Sequence, residues 1–381
     1  MKAVVAGGAG MIGSHLCETL VGRGVEVWCL DNLATGRLTN LDALADEPRF
    51  RFVEHDVSRE LPALPPVERV YNLASPASPV GYTRLPIQTM LANSEGTRRL
   101  AELALGHRAR FLFTSTSEVY GDPLQHPQRE DYRGNVSTIG PRSTYDESKR
   151  YGEAMTMAFV RSFGLDGRLV RIFNTYGPRA DLSDGRVVVN FIAQALRGEP
   201  MTLYGDGMQT RSLCHVSDLV EGLIAVMESE RARGEVINLG NPEELTVMEI
   251  AEAIRRLAGS TSPFVFTGYA VGDDPRRRRP DIGKARALLG WEPRTSLAEG
   301  LGTMINAMRA EMGQGAVTRN APGETNAALD PAPRAVAADG NGPVLNGNLG
   351  ASHGASGTIP ARGARGLRRR GRLGADDSRA S

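Results

Sequence analysis

A chain of 381 residues with 41% apolar and 23% charged side chains and 44 glycines is long enough to bury a large core, as one big or two modest domains. Its 45 basic and 44 acidic residues leave a net charge of +1, which supplies no electrostatic argument for a nucleic-acid or membrane partner. Cys17, Cys29 and Cys214 are scattered without CxxC spacing, so reduced, buried thiols are expected rather than a disulfide framework or a zinc site.

The opening "MKAVVAGGAGMIG" carries too short an apolar run for a signal peptide. No later stretch offers about 18 uninterrupted apolar residues, so no membrane span is expected and a cytoplasmic protein is. From there, short apolar runs alternate with helical patterns. The candidate strands are 2–7, 25–31, 50–57, 67–74 and 109–116; the candidate helices are 11–22, 86–106 and 143–163. Strands alternating with helices predict parallel pairing, right-handed crossovers and a doubly wound α/β sheet, whose ligands sit beyond the carboxyl ends of its strands.

The first strand turns into "GGAGMIGSHL", with Gly7, Gly10 and Gly13 at GxxGxxG spacing between strand and helix. Glycine permits the turn and lets backbone amides approach a pyrophosphate on the helix N-terminus. Asp31, closing the second strand, suits the ribose hydroxyls of a dinucleotide and would repel a 2′-phosphate, which favours NAD over NADP. Arg37 argues the other way, since an arginine there can accommodate that phosphate; it ranks second to Asp31. His55, Asp56 and Val57, ending the third strand, are candidates for the adenine pocket.

The fifth strand ends in "TSTSEVYG", Thr114 to Gly121, on the ligand edge of such a sheet. Glu118 there is either a solvated loop residue or an acid or base aimed at a substrate. The next helical pattern, "RSTYDESKRYGEAM", sets Tyr145 and Lys149 on one face and gives Ser143 and Asp146 a capping-box-like spacing. A tyrosine is a poor base near neutrality unless a cation stabilises its phenolate, and Lys149 is placed to be that cation.

Residues from about 175 to 312 mix "RVVVNFIAQALRG", "MTLYGDG", "EVINLG", a helix near 246–258, "PFVFTG" and an amphipathic stretch near 296–312. The expected organisation is therefore a dinucleotide-binding domain over 1–175 and a smaller mixed substrate lobe over 176–312, partly returning to the main sheet. Residues 313–381, rich in Ala, Gly, Pro and Asn with nine arginines against five acids, read as a disordered low-complexity tail. Its cluster "RGLRRRGRLG" is the one hint of a nucleic-acid or acidic partner.

Together "GGAGMIGSHL", "TSTSEVYGDP", "YDESKR", "RIFNTYGPR", "SDGRVVVNF", "YGDGMQTRS" and "DDPRRRRPDI" resemble the extended short-chain dehydrogenase/reductases over roughly residues 1–310 and, within them, the UDP-glucuronate decarboxylases (UDP-xylose synthases). The resemblance implies a Rossmann sheet and NAD contacts at Gly7, Gly10, Met11, Ile12, Gly13, Asp31, Asn32, Thr35, Gly36, Asp56, Val57, Leu73 and Ser75, with Tyr145 and Lys149 against the nicotinamide end. It implies Tyr145 as base, Lys149 as its partner and Thr116 on the reacting hydroxyl. Tyr82, Asn174, Arg179, Tyr204, Arg211 and Arg278 fall in motifs that hold the nucleotide sugar, UDP-glucuronate. Homodimers through the helix carrying Tyr145 are also implied, with Met155, Met157 and Phe159 as candidate interface residues.

The pattern is not kept everywhere. Gly81 and Leu91 stand where the family has an aromatic and a lysine, and Leu213-Cys214-His215 replaces its Phe-Gln-Tyr; His215 reads as a packed replacement.

The implied reaction oxidises C4 to a ketone, loses carbon dioxide because the ketone accepts the electrons, protonates C5 and reduces C4 again. Glu118 is the expected acid-base group at C5, with Ser117 as a hydroxyl relay, and Arg278 holds the departing carboxylate. Three alternatives remain at this level: a UDP-sugar 4-epimerase, a decarboxylase that releases the 4-keto pentose, and a non-catalytic NAD-binding protein. Retention of both Tyr145 and Lys149 counts against the last.

Overall fold

The computed structural model describes residues 1–268 and 277–313. The expected tail, from residue 314 on, and the start of "DDPRRRRPDI" lie outside the described residues.

Seven strands form one parallel sheet. β1 (Lys2–Ala6), β2 (Glu26–Asp31), β3 (Phe50–Glu54), β4 (Arg69–Asn72), β5 (Arg110–Thr116) and β6 (Gly167–Ile172) are joined at the edge by a later strand, Val236–Leu239. The spatial order is β3-β2-β1-β4-β5-β6 and then Val236–Leu239, with every neighbouring pair parallel. The order reverses between β1 and β4, where such sheets open a crevice for ligand.

Period-2 alternation sorts the sheet's side chains into two cores. Val5, Val27, Cys29, Leu112, Val170 and Ile237 pack on one face with Leu16, Cys17 and Leu20 of α1 (Met11–Gly22) and with Leu219, Leu223 and Val226 of the helix Val216–Glu228. Val4, Leu30, Val70, Phe111 and Phe113 pack on the other. Both faces are covered, which is why these strands read as nearly continuous apolar runs. All three cysteines are free and buried.

The candidate helix 86–106 is broken into parts. α2 (Pro79–Arg84) and α3 (Pro86–Leu91) lead into a π-helical turn at Ala92–Gly96 and then α4 (Thr97–His107). The widened turn accompanies a buried side chain: Asn93 Nδ2 donates to Ser75 Oγ, the Thr89 carbonyl and Ser148 Oγ at 2.9–3.1 Å. That ties the end of β4 to α5 (Ser143–Phe163), the helix that carries Tyr145 and Lys149.

Beyond the carboxyl edge lies a second group of elements. Helix Val187–Arg197, the parallel pair Met201–Tyr204 and Phe264–Thr267, and helices Val247–Ala258 and Leu297–Glu311 pack against one another.

Candidate active site

The nucleotide loop is shaped by close backbone approach. Gly7 has φ +80° and lies where a Cβ would meet the Leu73 and Ala74 backbone at 2.7 Å; a Cβ on Gly13 would stand 2.1 Å from the Gly7 carbonyl. Neither position has room for a side chain. α1 starts at Gly10 with no side-chain cap and no acid in its first turn, so the amides around Met11 and Ile12 face outward at the positive end of the helix.

Asp31 accepts from the Ala9 amide at 2.9 Å and the Leu33 amide at 2.8 Å. Burial raises its pKa, and these two bonds oppose the rise. Gly36 lies directly over its carboxylate, where a Cβ would come within 3.0 Å of both oxygens. Asn32 donates to Asp56, whose carboxylate also holds Ser58 at 2.9 and 2.7 Å. Val57 is buried against Gly96, and Ser75 Oγ is bonded to Asn93. Thr35 packs beside Gly81. An uncapped helix start, a glycine cradle closed to side chains and a carboxylate with unspent lone pairs fit a dinucleotide; these residues would hold NAD.

Arg37 does not reach into that crevice unopposed. Its guanidinium forms an ion pair with Glu311, at the end of the last described helix, and donates to Asn40 at 3.3 Å. The 2′-phosphate partner weighed from the sequence is thus already neutralised, for a reason 274 residues away.

At the end of β5, Thr116 Oγ1 caps the following turn by accepting from the Glu118 amide at 3.2 Å and also hydrogen-bonds Tyr145. Tyr145 is buried, and Tyr82 stacks on it with ring centroids 5.1 Å apart and planes 9° apart. Burial drives the Tyr145 pKa up, the Thr116 hydrogen bond pulls it down and the Glu118 charge raises it again.

Lys149 differs from the expectation. Its Nζ donates to the Thr114 carbonyl at 2.8 Å and lies 5.9 Å from the centre of the Tyr145 ring. Burial lowers its pKa to about 7, partly offset by Glu153. Burial thus works against both the Lys149 ammonium and the Tyr145 phenolate.

Glu118 is not a solvated loop residue. Its carboxylate forms ion pairs with Arg142 and with Arg278, the latter at 3.2 Å, and Arg278 also donates to the Gly121 carbonyl at 3.2 Å. Burial would raise the Glu118 pKa, but Arg278, Arg142 and Arg211 outweigh it and hold the carboxyl below its usual range. Arg278 is only 2% exposed, and its Nε has no hydrogen-bond partner.

A cavity of about 330 Å³ opens beside this cluster, walled by Glu118, Gly121, Asp122, Asn135, Val136, Ser137, Arg142, Asp146 and Arg278. Ser117 is 1% exposed and is not part of that wall.

Two members of the cluster escaped the sequence reading. Arg142 has no motif of its own. The Ser143–Asp146 spacing predicts a capping box, but α5 begins after Arg142 with no side-chain cap. Asp146 instead turns its carboxyl to the cavity, 4.0 Å from Arg142.

The expected sugar-binding residues are divided. Arg211 is close enough to act on Glu118. Arg179, at φ +67°, pairs with Glu18 of α1, while Tyr204 ends its strand 45% exposed. Asn174 uses its carbonyl to hold the Cys214 amide at 2.9 Å. His215 caps its helix through Ser217 and meets Tyr176 edge-on, the packed role expected of it.

Comparison with known proteins places these features. The profile of the NAD dependent epimerase/dehydratase family matches residues 3–240. The chain is 52% identical over 309 residues, 81% of its length and 70% of the relative's, to UDP-glucuronic acid decarboxylase 1 of Arabidopsis thaliana. It is 48% identical over 311 residues, 82% and 73% of the two chains, to UDP-glucuronic acid decarboxylase 1 of Xenopus tropicalis. Among solved structures, UDP-glucuronic acid 4-epimerase of Bacillus cereus, in complex with UDP-glucuronic acid and NAD, superposes with a TM-score of 0.73 at 29% identity, covering 82% of this chain and 100% of that one.

Proposed function

Because the chain belongs to the NAD dependent epimerase/dehydratase family, we propose that its site converts UDP-glucuronate to UDP-xylose and carbon dioxide, with bound NAD unchanged overall. The observation that carries this reading is the Glu118–Arg278 pair, a buried arginine on the carboxylate whose charge acts on Tyr145, in a chain 52% identical to a UDP-glucuronic acid decarboxylase.

NAD supplies an acceptor for the hydride at C4 and later gives it back. Tyr145, hydrogen-bonded to Thr116, takes the proton of the C4 hydroxyl and returns it at the end. Tyr82, stacked on Tyr145, fixes the plane of the phenol and keeps bulk water off it. Lys149, anchored on the Thr114 carbonyl, places its charge behind the phenol.

Once C4 is a ketone, the bond to the carboxylate breaks and its electrons delocalise onto the C4 oxygen, where the Tyr145 and Thr116 hydroxyls stabilise them. Arg278, with an unspent Nε donor, is suited to the carboxylate by its planar fork, and Glu118 holds it in place. Arg211 adds positive charge on the same side.

A homodimer is also part of this proposal. Its support is the row of exposed apolar side chains on α3 and α5, namely Ile87, Met90, Leu91 and Tyr151. Met155, Met157 and Phe159, the candidates from the sequence, pack instead on the core beneath.

The test is incubation of the pure protein with UDP-glucuronate and catalytic NAD, with carbon dioxide and the sugar product followed together. UDP-xylose is the expected product. UDP-galacturonate without carbon dioxide would replace this reading with an epimerase, and the 4-keto pentose would mean release before reduction.

A further inference from the structure

The overall conversion consumes a proton that the groups named so far do not deliver. The proton taken from the C4 hydroxyl by Tyr145 goes back to it, and the hydride taken from C4 goes back to C4. Breaking the C5–carboxylate bond leaves its electron pair to C5 through the enolate, and carbon dioxide departs. A C5–H bond must then form with a proton drawn from solvent.

Glu118 is badly placed to give it. With Arg142 and Arg278 both on its carboxylate, it stays ionised and accepts rather than donates. Asp122 of the same cavity wall is exposed, which leaves the third carboxyl there, Asp146. It is 6% exposed, Oδ1 has no hydrogen-bond partner, and the helix start it was expected to cap leaves it unused.

Resting on the proposed reaction, we infer that Asp146 is the proton relay of this pocket, the acid through which a solvent proton reaches C5. The charges around it agree. Burial and the facing Glu118 carboxylate push its pKa up, Arg142 and Arg278 pull it down, Glu147 of its own helix adds to the rise, and the balance is about 7. Among the described residues, the Tyr145 phenol also interacts with it, and Arg211 acts on the neighbouring Glu118. Two carboxyls of one cavity wall are thus shifted in opposite directions, Glu118 down and Asp146 up. Such divergence separates acid from base in a shared site.

A first-turnover experiment separates this role from a structural one. Asp146→Asn should release carbon dioxide near the wild-type rate yet form UDP-xylose about 100-fold more slowly. In Asp146→Ala, added formate should speed UDP-xylose formation without changing carbon dioxide release. Equal slowing of both products in Asp146→Asn, together with no formate effect in Asp146→Ala, would overturn the relay; so would wild-type formation of UDP-xylose in both variants. If Asp146→Asn no longer binds NAD by calorimetry, the formate response of Asp146→Ala decides alone. Wild-type protein that makes neither product from UDP-glucuronate would instead overturn the proposed function and leave no C5 step to explain.

Discussion

Glu118 and Arg278 meet at 3.2 Å although 160 residues separate them in the chain. The pair is buried, so it matters through what happens when one partner goes. Glu118→Gln leaves Arg278 and Arg142 without their counter-charge, and breaking a buried pair in this way costs about 3–5 kcal/mol. The expected outcome is a lower Tm and loss of carbon dioxide release, while reduced nicotinamide still forms from UDP-glucuronate. Unchanged turnover would remove Glu118 from the chemistry.

Tyr145→Phe removes the hydroxyl that Thr116 holds while keeping the ring on which Tyr82 stacks. Both sugar oxidation and carbon dioxide release should fall by about 10³-fold, with NAD affinity by calorimetry unchanged. Tyr82→Ala, by contrast, loses a stacked pair worth about 1 kcal/mol and should lower kcat while leaving some oxidation.

Asp146 and Lys149 give stability opposite pH slopes. Asp146 is raised from 3.8 to about 7, so the folded protein keeps a proton that the unfolded chain releases, and stability falls as pH rises through that window. The Tm gain of Asp146→Asn over wild type should therefore grow from pH 4 to pH 7 and then level off. Lys149 is lowered from 10.5 to about 7; the unfolded chain binds the extra proton, and stability rises with pH between those values. Lys149→Met should show its largest Tm gain at or below pH 7. Differential scanning calorimetry across pH 4–10 reads both.

The Arg37–Glu311 pair predicts a change of cofactor preference. Glu311→Gln frees the guanidinium of Arg37, which follows the Gly36 that lies over Asp31, and NADP affinity should rise roughly fivefold, about 1 kcal/mol, with NAD affinity little changed. Adding Arg37→Ala should abolish the gain. Fluorescence titration with each cofactor checks both statements.

For the proposed dimer, Ile87→Glu puts a charge into the exposed apolar row on α3. The expected result is a halved mass by light scattering, with the circular dichroism spectrum of the parent retained.

Much of this architecture is readable from local pattern. The helix at 11–22 and the helix at 143–163 are found where the periodicity puts them, because each buries a 3.6-residue stripe on a sheet with a 2-residue one. The strands at 50–57 and 67–74 come out shorter, as β3 and β4, since their ends leave the sheet to line the cofactor crevice. What stays hidden depends on distant partners. Nothing within ten residues of Glu118 announces Arg278, nothing near Arg37 announces Glu311, and the Ser143–Asp146 spacing suggests a cap that the fold does not use. The π turn at Ala92–Gly96 is equally silent, because its cause is Asn93 reaching across to Ser75 and Ser148.

The long reach of the Glu118–Arg278 pair also bears on how the chain comes off the ribosome. Glu118 and Arg142 emerge close together, but Arg278 follows 160 residues after Glu118, on the order of ten seconds at ordinary rates of synthesis. Until then the Glu118 carboxylate has Arg142 as a counter-charge but not Arg278, so the arginine proposed to hold the substrate carboxylate is the last member of the cluster to be made.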